Sequence, residues 1–153
     1  MVANSLPNLD PLELNLQHVT TTNTFGFERN TLVFDQPLAI DHYCKSQAPE
    51  LSGINSFILN TDQDGKTRIT TFLYTVEGLH PIRVTFLKIL LDFVREKFSS
   101  EPYMHFVFVV PDDMKERASL QWYEPHFLEE RIEQYVLGLN MVEIWNHVAN
   151  PTA

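Results

Sequence analysis

The sequence predicts an α+β fold, a central mixed sheet with flanking helices around one core. Three observations predict it. Two strand-like stretches flank Asp62-Gln63-Asp64-Gly65, a strong turn signal. An amphipathic helical pattern starts near Pro81. Met104 to Val110 is an unbroken run of apolar strand formers stopped by Pro111. Strand, strand, helix, strand in that order favours a helix laid on a sheet.

The elements follow in chain order. Residues 1–11 are polar, contain Pro7 and Pro11, and read as a flexible lead-in to a single globular domain over 12–149. Leu12 to Val19 opens with the alternation Leu12, Leu14, Leu16, which predicts a short strand. Thr20 to Thr24 is β-branched but polar and has no clear assignment. Thr31 to Phe34 reads as a strand, and Pro37 as the first turn of a helix reaching Lys45.

Ile54 to Leu59 and Thr67 to Val76 are the strands around the turn. The second carries Ile69 and Leu73 on one face and Phe72, Tyr74 and Val76 on the other. Apolar groups on both faces predict an interior strand covered on each side. Glu77-Gly78 ends it, and His80-Pro81 opens a helix with Pro81 at its first position, where a missing N–H costs nothing. Ile82, Phe86, Ile89, Leu90, Phe93 and Val94 form its apolar face. Met104 to Val110 predicts a buried central strand. Phe127 to Leu139 allows a helix, with Ile132 to Leu139 equally readable as a strand, and Met141 to Val148 suits a closing helix.

The 153 residues are 44% hydrophobic, which is enough for a core without disulfide or metal staples and excludes a disordered chain. The net charge of −9 argues against a nucleic-acid or anionic-membrane partner, since such binders neutralise phosphates with basic side chains. It suits solubility alone, and also a basic protein surface as partner. The single cysteine, Cys44, forms no internal disulfide, and no signal peptide or transmembrane run is visible. The expected setting is intracellular, in cytoplasm or nucleus.

Chemistry-bearing patterns are sparse. Asn60, Asp62, Asp64 and Gly65 match the start of a calcium loop, but its twelfth position is Thr71 instead of a bidentate Glu, so a hairpin turn is expected. His80, before the helix, is a candidate base or anion ligand and equally a cap. The six histidines lack metal-ligand spacing, and Cys44 has no catalytic signature. Trp122, Tyr123, Phe127 and Trp145 are late aromatics, suited to a core or to a binding surface. No cofactor and no metal is expected.

Five short motifs occur in order: Asn55-Ser56-Phe57, Leu73-Tyr74-Thr75-Val76, His80-Pro81-Ile82, Phe108-Val109-Val110-Pro111 and Ile132-Glu133-Gln134-Tyr135-Val136. Together the stretch from Ile54 to Leu139 resembles the C-terminal nuclease-like domain of Crinkler effectors and retrotransposon-hot-spot proteins. The resemblance implies a core like that of PD-(D/E)xK restriction endonucleases, in which carboxylates and a Gln hold Mg²⁺ and a Lys assists the attacking water. Here Asn55 stands where the carboxylate belongs, Leu73 where the Gln belongs, and Thr75 where the Lys belongs. The resemblance therefore implies a degenerate site. The expected function is a non-catalytic, effector-like or regulatory domain that binds a protein, with Trp122 and Tyr123 as its candidate contacts. Two alternatives stand beside it. One is a metal-dependent nuclease with displaced ligands, using Glu77 or Asp64 with His80. The other is an acidic inhibitor or immunity-type partner of a basic enzyme.

Overall fold

The computed structural model describes residues 2–6, 12–14, 21–29, 31–75, 82–98, 101–117, 123–124 and 132–140. In chain order these form β1 (Val2–Leu6), β2 (Leu12–Glu13), β3 (Thr21–Glu28), β4 (Thr31–Phe34), β5 (His42–Ser46) and the one-turn α1 (Pro49–Ser52). They continue with β6 (Ser56–Thr61), β7 (Thr67–Tyr74), β8 (Ile82–Arg83) and the long helix α2 (Val84–Phe98). Last come β9 (Tyr103–Pro111), a 3₁₀ turn (Asp112–Arg117), β10 (Tyr123–Glu124) and β11 (Ile132–Leu139). The chain is thus α+β and mostly sheet. No helix among the described residues is long and apolar enough to cross a membrane.

Nine of the described strands share one sheet in the order β2-β1-β11-β9-β7-β6-β5-β3-β4, while β8 and β10 form a separate parallel pair. At its centre β7, β9 and β11 run parallel. The crossover from β7 to β9 contains α2, as parallel neighbours require a long connection. The hairpin β6–β7 is antiparallel, as its turn signal predicts. Asp62 builds that turn. Its backbone N–H donates to the Lys66 carbonyl at 2.9 Å. Its Oδ1 accepts the backbone N–H groups of Asp64 and Lys66, each at 2.9 Å. Gly65 supplies the positive φ, 79°. The calcium-like spelling is a hairpin turn.

The period of two separates the residues of the central strands onto two faces. On one face Phe57, Leu59, Ile69, Met104, Phe106, Phe108, Ile132 and Val136 meet Val84, Phe86, Leu87, Leu90, Leu91 and Val94 of α2 in one buried cluster. The helical residues recur at three- and four-residue spacing, so one stripe faces the sheet. Arg95 and Lys97 sit in the last turn of α2, where positive charge complements the helix dipole. Phe25 joins this core between Phe57 (ring centroids 5.1 Å apart) and Phe86 (5.4 Å, stacked). The opposite face holds a second cluster: Ala3, Leu12, Leu14, Ile58, Phe72, Val107, Val109, Tyr135 and Leu137. β7 and β9 are therefore interior strands with apolar groups on both faces, as their composition predicts.

Three expectations need correction, and one open stretch gains an assignment. Pro37 to Lys45 is not a helix: Asp41 adopts φ 64°, and His42–Ser46 is β5. That strand pairs with β3 on one side and β6 on the other, and this pairing outweighs the local helix signal. The Asp41 N–H donates to the Leu59 carbonyl at 2.8 Å, and Asn60 Nδ2 donates to Asp41 Oδ1 at 2.9 Å, fixing the bend. Within the expected lead-in, Val2–Leu6 is a strand between β2 and β11, a long-range pairing that no local pattern announces. The long helix starts at Val84 instead of Pro81, because Ile82 and Arg83 pair with Tyr123 and Glu124. The open stretch is Thr21–Glu28, an eight-residue strand despite its polar start. Of the strand expected over Leu12 to Val19, Leu12–Glu13 is strand, and residues 15–19 lie outside the described residues. Ile132 to Leu139 is a strand, and the closing helix expected at Met141 to Val148 also lies outside them.

Candidate functional site

Asn55 sits just before β6, beside the end of β7. Its N–H donates to the Phe72 carbonyl at 2.8 Å, and its Oδ1 accepts the Tyr74 N–H at 2.8 Å. The amide thus continues the β6–β7 ladder beyond the strand. Leu73 packs against the helix-covered core. The Thr75 N–H donates to the Val109 carbonyl at 3.0 Å. Two positions that the resemblance marks as degenerate, Asn55 and Leu73, have structural side-chain roles here. Asp64 lies in the exposed hairpin turn, at the other end of β7 from Asn55. Glu77, His80 and Trp122 lie outside the described residues; Tyr123 is placed only by its backbone pairing with Ile82.

Asn55 and Leu73 do not fit a Mg²⁺ site. Asn55 turns its carbonyl oxygen to a backbone N–H, and Leu73 has no donor atom. Among the described residues no three His, Cys, Asp or Glu side chains gather as a metal would need. Cys44 is buried, and burial pushes its thiol up to about 12, far from a reactive thiolate.

The sheet face opposite α2 instead carries two features. The first is a polar cluster towards the amino ends of β9 and β11. Tyr103 and His105 on β9 alternate with core residues, as do Glu133 and Tyr135 on β11, so all four share this face. Tyr103 Oη donates to Asp62 Oδ2 at 2.9 Å, and Tyr135 Oη donates to Glu133 Oε2 at 2.6 Å. The imidazole lies between both rings, with centroids 5.4 Å from Tyr103 and 5.0 Å from Tyr135. His105 Nδ1 and Arg68 Nε are buried without a hydrogen-bond partner among the described groups. Burial pushes His105 down to about 4, and Arg68 adds to the shift, while Glu133 opposes it. Burial, together with the bond to Asp62, raises Tyr103 to about 12. Three backbone and side-chain donors, led by the Lys66 N–H, hold Asp62 below the usual carboxylate range.

Beside this cluster is an open hollow of about 520 Å³, lined by Asp62, Asp64, Lys66, Glu101, Pro102, Tyr103, Met104 and Glu133. Four carboxylates face one lysine, although Glu101 is held by Arg95 at 2.9 Å. The second feature lies towards the carboxyl ends of β7, β9 and β11. It is an apolar pocket of about 220 Å³ beside Tyr74, Val109, Leu137 and Leu139.

Sequence reasoning missed both. Met104 to Val110 reads as one apolar run, which hides His105, and Tyr103, His105, Glu133 and Tyr135 become neighbours only through strand pairing. The one usable signal was the period of two that puts 103 with 105 and 133 with 135. No family model, no curated protein and no solved structure matches this chain.

Proposed function

We propose that this chain is a non-catalytic domain, derived from a restriction-endonuclease-like core of the Crinkler type, that acts by binding a basic protein surface. The observation that carries the reading is the carboxylate-lined hollow at the hairpin end of the sheet, on a chain of net charge −9. Asp64 is exposed, and Glu133 has 71% of its side chain in solvent, so both are accessible to a partner's Lys or Arg. Tyr103 adds an aromatic face beside them. The order β6, β7, α2, β9 supports the derivation, since it is the strand–strand–helix–strand order of the resemblance. Asn55 and Leu73 support the loss of catalysis, because each has a structural role in place of a metal-binding one. An intracellular setting belongs to the same reading, supported by the single, buried cysteine.

Calorimetric titration with a lysine-rich peptide tests the binding reading. We expect 1:1 binding that weakens steeply with added salt and weakens further in the double variant Asp64→Asn, Glu133→Gln. Equal affinity in the double variant would overturn the assignment of this surface. Incubation with DNA and RNA in Mg²⁺ or Mn²⁺, with an EDTA control, tests the loss of catalysis: cleavage that EDTA abolishes would make the chain an enzyme.

A further inference from the structure

The apolar pocket is separate from the acidic hollow, at the other end of the same sheet face. Its described lining is Leu14, Tyr43, Ile58, Phe72, Tyr74, Val109, Leu137 and Leu139. None of these is charged. Tyr74 ends β7, Leu139 is the last residue of β11, and Val109 lies near the end of β9. A volume of about 220 Å³ exceeds the roughly 150 Å³ that holds benzene in an apolar protein cavity. It is below the usual range of drug-sized sites, roughly 300–1,000 Å³.

The polar groups of the pocket narrow the chemistry. Tyr43 Oη and Tyr74 Oη are 3.2 Å apart, so one hydroxyl donates to the other. The second proton of the pair is then left to point elsewhere. Burial raises Tyr43 to about 12, so its hydroxyl stays neutral at any physiological pH.

We infer that this pocket is a binding site for a small, uncharged, single-ring molecule bearing one hydroxyl or carbonyl oxygen, held by apolar contact and oriented by the Tyr43–Tyr74 hydroxyl pair. The inference is independent of the acidic hollow and of the nuclease-like derivation. A charged ligand is disfavoured, since no described side chain in the lining would compensate its desolvation.

Titrations of the full chain with 4-methylphenol, toluene and 4-methylbenzoate, followed by NMR chemical-shift changes, test it. We expect saturable shifts for both neutral rings, with 4-methylphenol tighter by about 2- to 10-fold, the worth of one net hydrogen bond. The benzoate should not bind. Tyr74→Phe should remove the preference for the phenol and leave toluene binding unchanged; Tyr74 is 51% exposed, so this variant keeps the fold. Leu139→Trp, which fills the mouth, should abolish both. Absence of saturable binding by the unmodified chain, or binding undiminished in a folded Leu139→Trp variant, would overturn the site. A preference for the phenol that persists in Tyr74→Phe would overturn the role of the hydroxyl pair.

Discussion

His105 Nε2 stands 3.5 Å from Glu133 Oε2 on the adjacent parallel strand, with the two residues directly opposed in register. The imidazole is nearly buried, while most of the carboxylate side chain is in water, so the partner's charge is screened and desolvation decides the protonation state.

Acid sensitivity follows from this balance. His105 is held at about 4 in the folded chain against an ordinary 6.5. Between those values the unfolded chain takes up a proton that the folded chain refuses, so stability rises with pH across the window. This contribution is complete above pH 6.5 and is lost as pH falls towards 4, amounting to about 3 kcal/mol at full loss. His105→Phe, which keeps a ring between Tyr103 and Tyr135, should flatten the slope in that window. Urea midpoints at several pH values check it; parallel curves for the two proteins would refute the assignment.

Asn55 yields a prediction that separates scaffold from chemistry. Asn55→Ala removes the acceptor for the Tyr74 N–H and should cost about 1 kcal/mol of stability by denaturant unfolding. Asn55→Asp retains an acceptor oxygen and should cost less. It should also confer no Mg²⁺-dependent cleavage, because Leu73 still offers no ligand.

Two glycines are required for different reasons. Gly65 has φ 79° with open space where a Cβ would stand, so Gly65→Ala meets only backbone strain, about 1–2 kcal/mol. At Gly138 the backbone is ordinary, but a Cβ would collide with Asp112 Oδ1 and crowd Lys115. Gly138→Ala should be rescued in part by Asp112→Ala, whereas Gly65→Ala should not. Thermal midpoints of the single and double variants decide it.

Core and edge differ sharply in expected sensitivity. Phe57 is fully buried and touches the Phe25 ring, so Phe57→Ala should cost about 3–5 kcal/mol. Val33, on β4, is 44% exposed, and Val33→Thr should change stability by about 0.5 kcal/mol or less. Urea unfolding of both variants makes the comparison.

What the sequence made legible was local. The hairpin at Asp62–Gly65, the apolar stripe of α2 and the buried run of β9 each carry their pattern within a few residues. What it hid was long-range. β5 shows a helix-like start, yet its backbone is claimed by β3 and β6. β1 looks like a polar leader until β11 lies beside it. The polar cluster around His105 was invisible for the same reason: Arg68, Tyr103 and Glu133 converge only through the register of three parallel strands. Asn55 and Leu73 were legible as residues that offer Mg²⁺ little, but their structural roles were not.

The position of β1 has a consequence for synthesis. Its neighbours in the sheet are β2, which is two residues long, and β11, which is the last described strand to leave the ribosome. While translation proceeds, β1 has little to pair with, and the adjacent edge of β9 stays open until β11 emerges. Assembly of this half of the sheet therefore waits for β11 instead of accompanying synthesis of the strands before it. During that interval the exposed edge of β9, the most apolar strand, is the point at which a chaperone has most to shield.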